Sequence, residues 1–144
     1  SASVLVASDA YLARKGRPQH PSELTGHDCV LYKGSPASLA FQCDTGGDPV
    51  YVDVRPRFTA NNSEVLREVV LSGVGLGLLP DFSLSGQQKQ VLKRVLSQWA
   101  VQGYFGAHII AVRPFSPQVP LAVHCFVEHL KSVFNQAAGL PNQP

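Results

Sequence analysis

Apolar and polar positions alternate along this chain in short blocks, and the period of each block predicts an element. Residues 4–7 are a compact apolar run, the pattern of a buried strand. Ser8 follows where a helix N-cap belongs, and Asp9 falls in the first turn, where a carboxylate meets the positive end of the helix dipole. The helix so predicted, Asp9–Lys15, carries Arg14 and Lys15 near its carbonyl end, with Gly16 just past it. Residues 20–24, with proline near the start, predict one further helical turn, ended by Gly26. Residues 29–33 and 39–43 read as strands around a Gly-Ser-Pro-Ala-Ser turn. Residues 50–58 alternate, with Val50, Val52, Val54 and Phe58 on one face and Asp53, Arg55 and Arg57 on the other. Pro56 interrupts that ladder and suggests an edge or a bulge. Together these three strands predict an antiparallel excursion.

The stretch Asn-Asn-Ser-Glu-Val-Leu-Arg-Glu-Val-Val-Leu-Ser-Gly, residues 61–73, predicts a capped helix. Asn61 or Asn62 is the cap, Glu64 lies in the first turn and Gly73 closes the helix. Val65, Leu66, Val69 and Val70 form an apolar stripe opposite Glu64, Arg67 and Glu68. An apolar strand at 74–80 follows. Gly73, Gly75 and Gly77 thus stand after a helix and inside a strand. A phosphate-binding loop needs the reverse order, a strand, then glycines, then a helix N-terminus. The pattern excludes that chemistry and makes Gly73 a C-cap and Gly75 and Gly77 a close-packing face. Beyond it, residues 81–88 predict a short helix, and 91–97 and 108–114 predict strands. A closing helix opens at Pro117 or Pro120, with a stripe of Val123, Phe126, Val127, Leu130, Val133 and Phe134. No pattern is legible between Gln98 and Gly106. The class is α/β with a mixed sheet.

Composition narrows the function. The 144 residues are 44% hydrophobic and 15% charged, enough for one well-packed domain, and net charge is +2. No apolar run approaches the ~20 residues of a membrane helix. Basic residues are scattered, which argues against nucleic-acid binding by this stretch. Cys29, Cys43 and Cys125 are odd in number and irregular in spacing, which fits three buried free thiols in a reducing cytoplasm better than a disulfide framework. No CxxC, HExxH or HxxxH spacing suggests a metal, and His124 and His129 diverge on a helix. Asp44, Asp48 and Asp53 read as turn and surface residues. No Gly-x-Ser-x-Gly elbow occurs, so neither a cofactor nor an enzyme is expected. The chain opens almost directly on a strand, without leader or signal peptide, and reads as a piece of something longer.

Three stretches carry a family resemblance: LVASDAYLARKGRPQHPSELTGHDCVLY (5–32), FTANNSEVLREVVLSGVGLGLLPDF (58–82) and IIAVRPFSPQVPLAVHCFVEHL (109–130). In this order they resemble the second part of the effector domain of LysR-type transcriptional regulators. Asp9 stands where that family commonly has proline, and the closing turn lacks the family's basic, histidine-containing form. The resemblance implies a periplasmic-binding-protein-like (type 2) fold: two α/β lobes joined by two crossover strands, with the ligand between them. Mapped here, residues 1–7 are one crossover, 8–98 a complete second lobe, 99–135 the return crossover and a terminal helix of the first lobe, and 136–144 a flexible tail. The first lobe would be largely missing, as would the N-terminal winged helix-turn-helix.

The helix N-terminus at Asn61, Asn62 and Ser63 offers amide groups and a positive dipole end to a small anionic effector. The resemblance implies effector contacts at matching positions, Asn61 above all. Ser8 and Thr59 are further candidates, and plain capping is the other reading of Ser8 and Asn61. The implied partners are that effector, further copies of the chain as a dimer or higher oligomer, and DNA only through the missing N-terminal domain. No membrane partner is implied, and the location is cytoplasmic. A lobe of a periplasmic-type solute-binding protein is the alternative.

Overall fold

The computed structural model describes residues 3–84, 91–104, 112–113 and 115–138, with side chains through 134. Two compact units divide the chain, Ser1–His108 and Ile109–Pro144. In the first, β1 (Ser3–Ser8) runs directly into α1 (Asp9–Lys15), and a 3-10 helix (Pro21–Gly26) leads to β2 (Cys29–Tyr32). Then come β3 (Ser38–Cys43), β4 (Val50–Asp53), β5 (Pro56–Ala60), α2 (Ser63–Leu71) and β6 (Leu76–Pro80). A 3-10 turn (Asp81–Ser83), β7 (Leu92–Arg94) and β8 (Trp99–Gln102) complete it.

A five-stranded sheet in the order β5-β2-β6-β1-β7 forms the centre. β2 runs parallel to both β5 and β6, whereas β1 is antiparallel to β6 and β7. Strand side chains alternate between faces, and the core divides accordingly. Leu5, Ala7, Cys29, Leu31, Leu76 and Leu78 point to one face, against Tyr11, Leu24 and the apolar residues of β3 and β4. Val6, Val30 and Leu79 point to the other, against Leu66 and Val70 of α2. The second sheet, β4-β3-β8, is antiparallel throughout.

That topology corrects two expectations. β2 is not part of the antiparallel excursion, which β3, β4 and β8 make instead. Residues 50–58 are two strands in different sheets, because the chain turns at Pro56, whose missing N–H suits a strand start. Val54 stays buried, while Phe58 is 37% exposed, and Val65 at 43% exposed lies off the buried stripe of α2. The patternless stretch 98–106 contains β8.

Gly73 and Gly77 follow the sequence reading, whereas Gly75 stands just before β6 and meets the Asp28 backbone instead of α2. Gly73 has φ +81 just past α2, the left-handed C′ conformation. A Cβ on Gly77 would come 2.3 Å from Val70 Cγ2, so the missing side chain is the seat of α2 on the sheet. A Cβ on Gly75 would come 2.4 Å from the Asp28 carbonyl oxygen, which accepts the Leu76 amide at 2.9 Å.

In the second unit, α3 (Leu121–Ala138) starts after Pro120, whose carbonyl accepts from Val123 and His124 at 3.0 and 3.2 Å. Of its apolar stripe, Val123, Phe126, Val133 and Phe134 are exposed, and Val127 and Leu130 half-buried. The strand expected at 108–114, apart from residues 112–113, lies outside the described residues, as do 85–88 of the helix expected at 81–88 and 139–144 of the tail.

Alanine at Gly75 or Gly77 should overpack the sheet, at a cost of about 1–3 kcal/mol. Gly75→Ala should cost more than Gly77→Ala, because it meets backbone whereas Gly77→Ala meets a side-chain methyl. Urea unfolding midpoints would show the order, and equal or negligible losses would contradict the close packing.

Candidate functional site

Parallel strands in an α/β sheet bring their carboxyl ends to one edge, where loops and helix N-termini gather. Here β2, β5 and β6 share such an edge. Tyr32 pairs with Ala60 in register, and Ser3, at the start of β1, pairs with Pro80 at the end of β6. β5 leads from this edge into α2, so the N-terminus of that helix lies there too.

Asn62 is the N-cap of α2. Its Oδ1 accepts from the amides of Glu64 at 2.8 Å and Val65 at 3.4 Å, satisfying two of the orphan donors of the first turn. Asn61 and Thr59 are exposed and Ser63 is half-buried. No hydrogen bond engages the Asn61 side chain among the described residues.

Neighbours at this edge escaped the sequence reading. Lys33 follows β2, exposed, and its backbone N–H donates to the Ala60 carbonyl at 2.9 Å. Tyr104 Oη accepts from the Tyr32 amide at 2.9 Å and meets Ser35 Oγ at 2.7 Å. Burial pushes the Tyr104 phenol above its ordinary value of 10.0, with the Ser35 hydrogen bond opposing. Asp81 opens the 3-10 turn just after β6, and its Oδ1 accepts from Phe82 N at 2.8 Å. The edge thus combines a cation, a helix N-terminus, hydroxyl groups and the carboxylates of Asp81 and Glu64. No local signal joins Tyr104 to Tyr32, because 72 positions separate them.

Ser8 does not belong to this group. β1 is antiparallel to its neighbours β6 and β7, so its carboxyl end lies at the amino end of β6. Ser8 Oγ, in a residue only 5% exposed, accepts the Tyr11 amide at 3.2 Å and stands 3.6 Å from where a Gly73 Cβ would be. Gly73 ends α2 and Asn62 begins it. Nine helical residues span about 14 Å, so the two caps stand at opposite ends of the sheet. An open groove of about 480 Å3, lined by Thr25, Gly26, His27, Asp28, Asp53 and Arg55, also lies away from the carboxyl edge. No α-helix N-terminus is among its lining, and Asp28 there is paired with Arg57 at 3.3 Å. The carboxyl edge is the better candidate.

The cysteines divide three ways: Cys29 is buried, Cys43 half-buried and Cys125 exposed, which corrects the expectation of three buried thiols. Burial, with Asp28 nearby, pushes the Cys29 thiol up to about 12. Among the described residues no group of histidine, cysteine and acidic side chains could hold a metal ion. No helix there is long and apolar enough to cross a membrane.

These features define an α/β domain with a mixed central sheet, whose carboxyl edge is the candidate site. Residues 2–135 match the LysR substrate binding domain family model, and the chain belongs to that family. It is 41% identical to the HTH-type transcriptional regulator CrgA of Neisseria meningitidis over 80 residues, 54% of this chain and 26% of CrgA. It is 23% identical to the probable regulator LtrA of Klebsiella pneumoniae, over 88% of this chain and 41% of LtrA. The chain therefore spans well under half of these relatives, which are transcriptional regulators and not solute-binding proteins.

Among solved structures, the regulatory domain of CrgA superposes with TM-score 0.65 at 29% identity, over 92% of this chain and 64% of that one. The full-length Vibrio cholerae virulence activator AphB gives 0.62 at 30% identity, over 69% of this chain and 34% of that one. The fold is the periplasmic-binding-protein-like, type 2 fold of LysR regulatory domains.

Two measurements check the site's chemistry. Asn62→Ala should lower stability by about 1 kcal/mol through loss of the cap, while Asn61→Ala should stay within about 0.5 kcal/mol of the parent. Iodoacetamide at pH 8, followed by mass spectrometry, should label Cys43 and Cys125 on the folded chain and Cys29 only after denaturation.

Proposed function

We propose that this chain is the effector-sensing part of a LysR-type regulator and that it takes a small anionic ligand at the carboxyl edge of β2, β5 and β6. One observation supports this above others: the N-terminus of α2 lies at that edge, with Asn62 committed to capping and the neighbouring Asn61 amide exposed and unengaged. Asn61 supplies the directional contact, Ser63 and the first-turn amides the dipole end, and Thr59 flanks them on β5. Ser8 is a structural cap. On this reading residues 1–7 form one crossover between lobes, 8–98 the second lobe, and 99–135 include the return crossover and a helix of the first lobe. Ligand closing the lobes shifts an oligomer whose N-terminal winged helix-turn-helix domains hold DNA. The chain acts as a sensor, not a catalyst, in the cytoplasm.

The in-frame coding sequence upstream of Ser1 tests the regulator: a helix-turn-helix followed by a further lobe is expected, and a secretory signal peptide would overturn it. The ligand site is tested on the full regulator by thermal unfolding with millimolar acetate, succinate and benzoate. At least one should raise the melting temperature, and Asn61→Ala should abolish that rise while leaving the unliganded temperature unchanged. A rise that survives the substitution would move the site elsewhere.

A further inference from the structure

At the other end of the sheet, Tyr11 of α1 makes two hydrogen bonds through one oxygen. The Asp28 amide donates to Tyr11 Oη at 3.0 Å, and Tyr11 Oη lies 3.0 Å from His27 Nδ1. The side chain is fully buried, at 0% exposed. A phenol has one proton to give, and the described residues offer Tyr11 no acceptor other than His27 Nδ1. The only arrangement that satisfies every group has Tyr11 donating to an unprotonated Nδ1, so His27 is neutral and carries its proton on Nε2. An imidazolium would turn Nδ1–H toward Tyr11. Its oxygen would then face two donors, and its own proton would be buried without an acceptor.

We propose that the Tyr11–His27 hydrogen bond is a proton-operated latch, holding α1 against the start of β2 while His27 is neutral and releasing it when the ring takes up a second proton from solvent. The charged and titratable surroundings resist that proton on balance. Lys15 of α1 opposes the imidazolium, while Glu23 of the 3-10 helix and Asp28 favour it. Asp28 is partly neutralised by Arg57 of β5, at 3.3 Å. Asp53 and Arg55, of opposite sign, line the groove beside His27. Arg14 lies over the Tyr11 ring, 5.4 Å from its centre, and Cys29 stays a neutral thiol. Burial first and Lys15 second hold His27 below its ordinary value of 6.5. The folded chain therefore binds this proton less readily than the unfolded chain. Stability is complete above about pH 6.5 and is lost as pH falls from there toward the depressed folded value.

The test compares urea unfolding of the full chain and of His27→Asn between pH 5 and 8. The Asn carboxamide oxygen can stand where Nδ1 stood and accept from Tyr11, but it takes no proton in this range. The two midpoints should run together above pH 6.5 and separate below it, the parent losing stability that the variant retains. Curves offset by a constant amount at every pH would overturn the latch and leave His27 a packing residue. Should the variant fail to fold, side-chain 15N shifts of His27 in the parent decide. An acceptor-type Nδ1 at pH 7.5 and a titration midpoint below 6.5 are expected, and a protonated Nδ1 in the neutral ring would overturn it.

Discussion

Asp28 holds three neighbours of β2 at once. Its N–H donates to Tyr11 of α1, its carbonyl accepts from Leu76 of β6, and its carboxylate meets Arg57 of β5. One residue thus ties a helix and two strands to the start of β2. The carbonyl fits only because Gly75 has no side chain. Two residues on, within β6, Gly77 makes the same concession to Val70 of α2. The chain is thereby thin at the approach to β6 and within it, and α2 is seated where Gly77 leaves room for Val70. Since α2 is seated by Val70 near its end, its direction across the sheet delivers its N-terminus to the carboxyl edge.

Features set by neighbouring residues were legible in the sequence. The caps at Ser8 and Asn62 close through side-chain oxygens that reach amides two or three positions away. The order of helix, glycine and strand at 61–80 separated close packing from phosphate binding. Partnerships between distant strands were not legible. β2 and β3 have similar apolar content, and nothing local says that β2 joins the parallel strands while β3 pairs with β4 and β8. β8 is four residues of moderate exposure whose partner, β3, lies more than fifty positions earlier in the chain. The candidate site divides in the same way. Asn61, Asn62 and Ser63 announce themselves as a helix start, whereas Lys33, Ser35 and Tyr104 reach the edge through sheet topology alone.

Strand direction also separates the two caps that the sequence groups together. Ser8 and Asn62 have the same local chemistry, yet β1 runs antiparallel to β6 while β2 and β5 run parallel to it. The helix that follows β1 therefore starts where α2 ends. This opposition places unlike chemistry at the two ends of α2. At its start, amides and the positive dipole end face an edge furnished with Lys33 and hydroxyl groups, an environment that favours an anion. At its finish, the Gly73 carbonyl accepts from Arg14 of α1 at 2.9 Å, so a cation already meets the negative end. α1, in turn, is fixed to the start of β2 through Tyr11, His27 and Asp28. α2 leaves its amide end exposed and is anchored at the other, and the anchor contains a histidine whose Nδ1 can accept from Tyr11 only in the neutral form. The nine residues of α2 thus separate an exposed, positively polarised end from one that is already anchored.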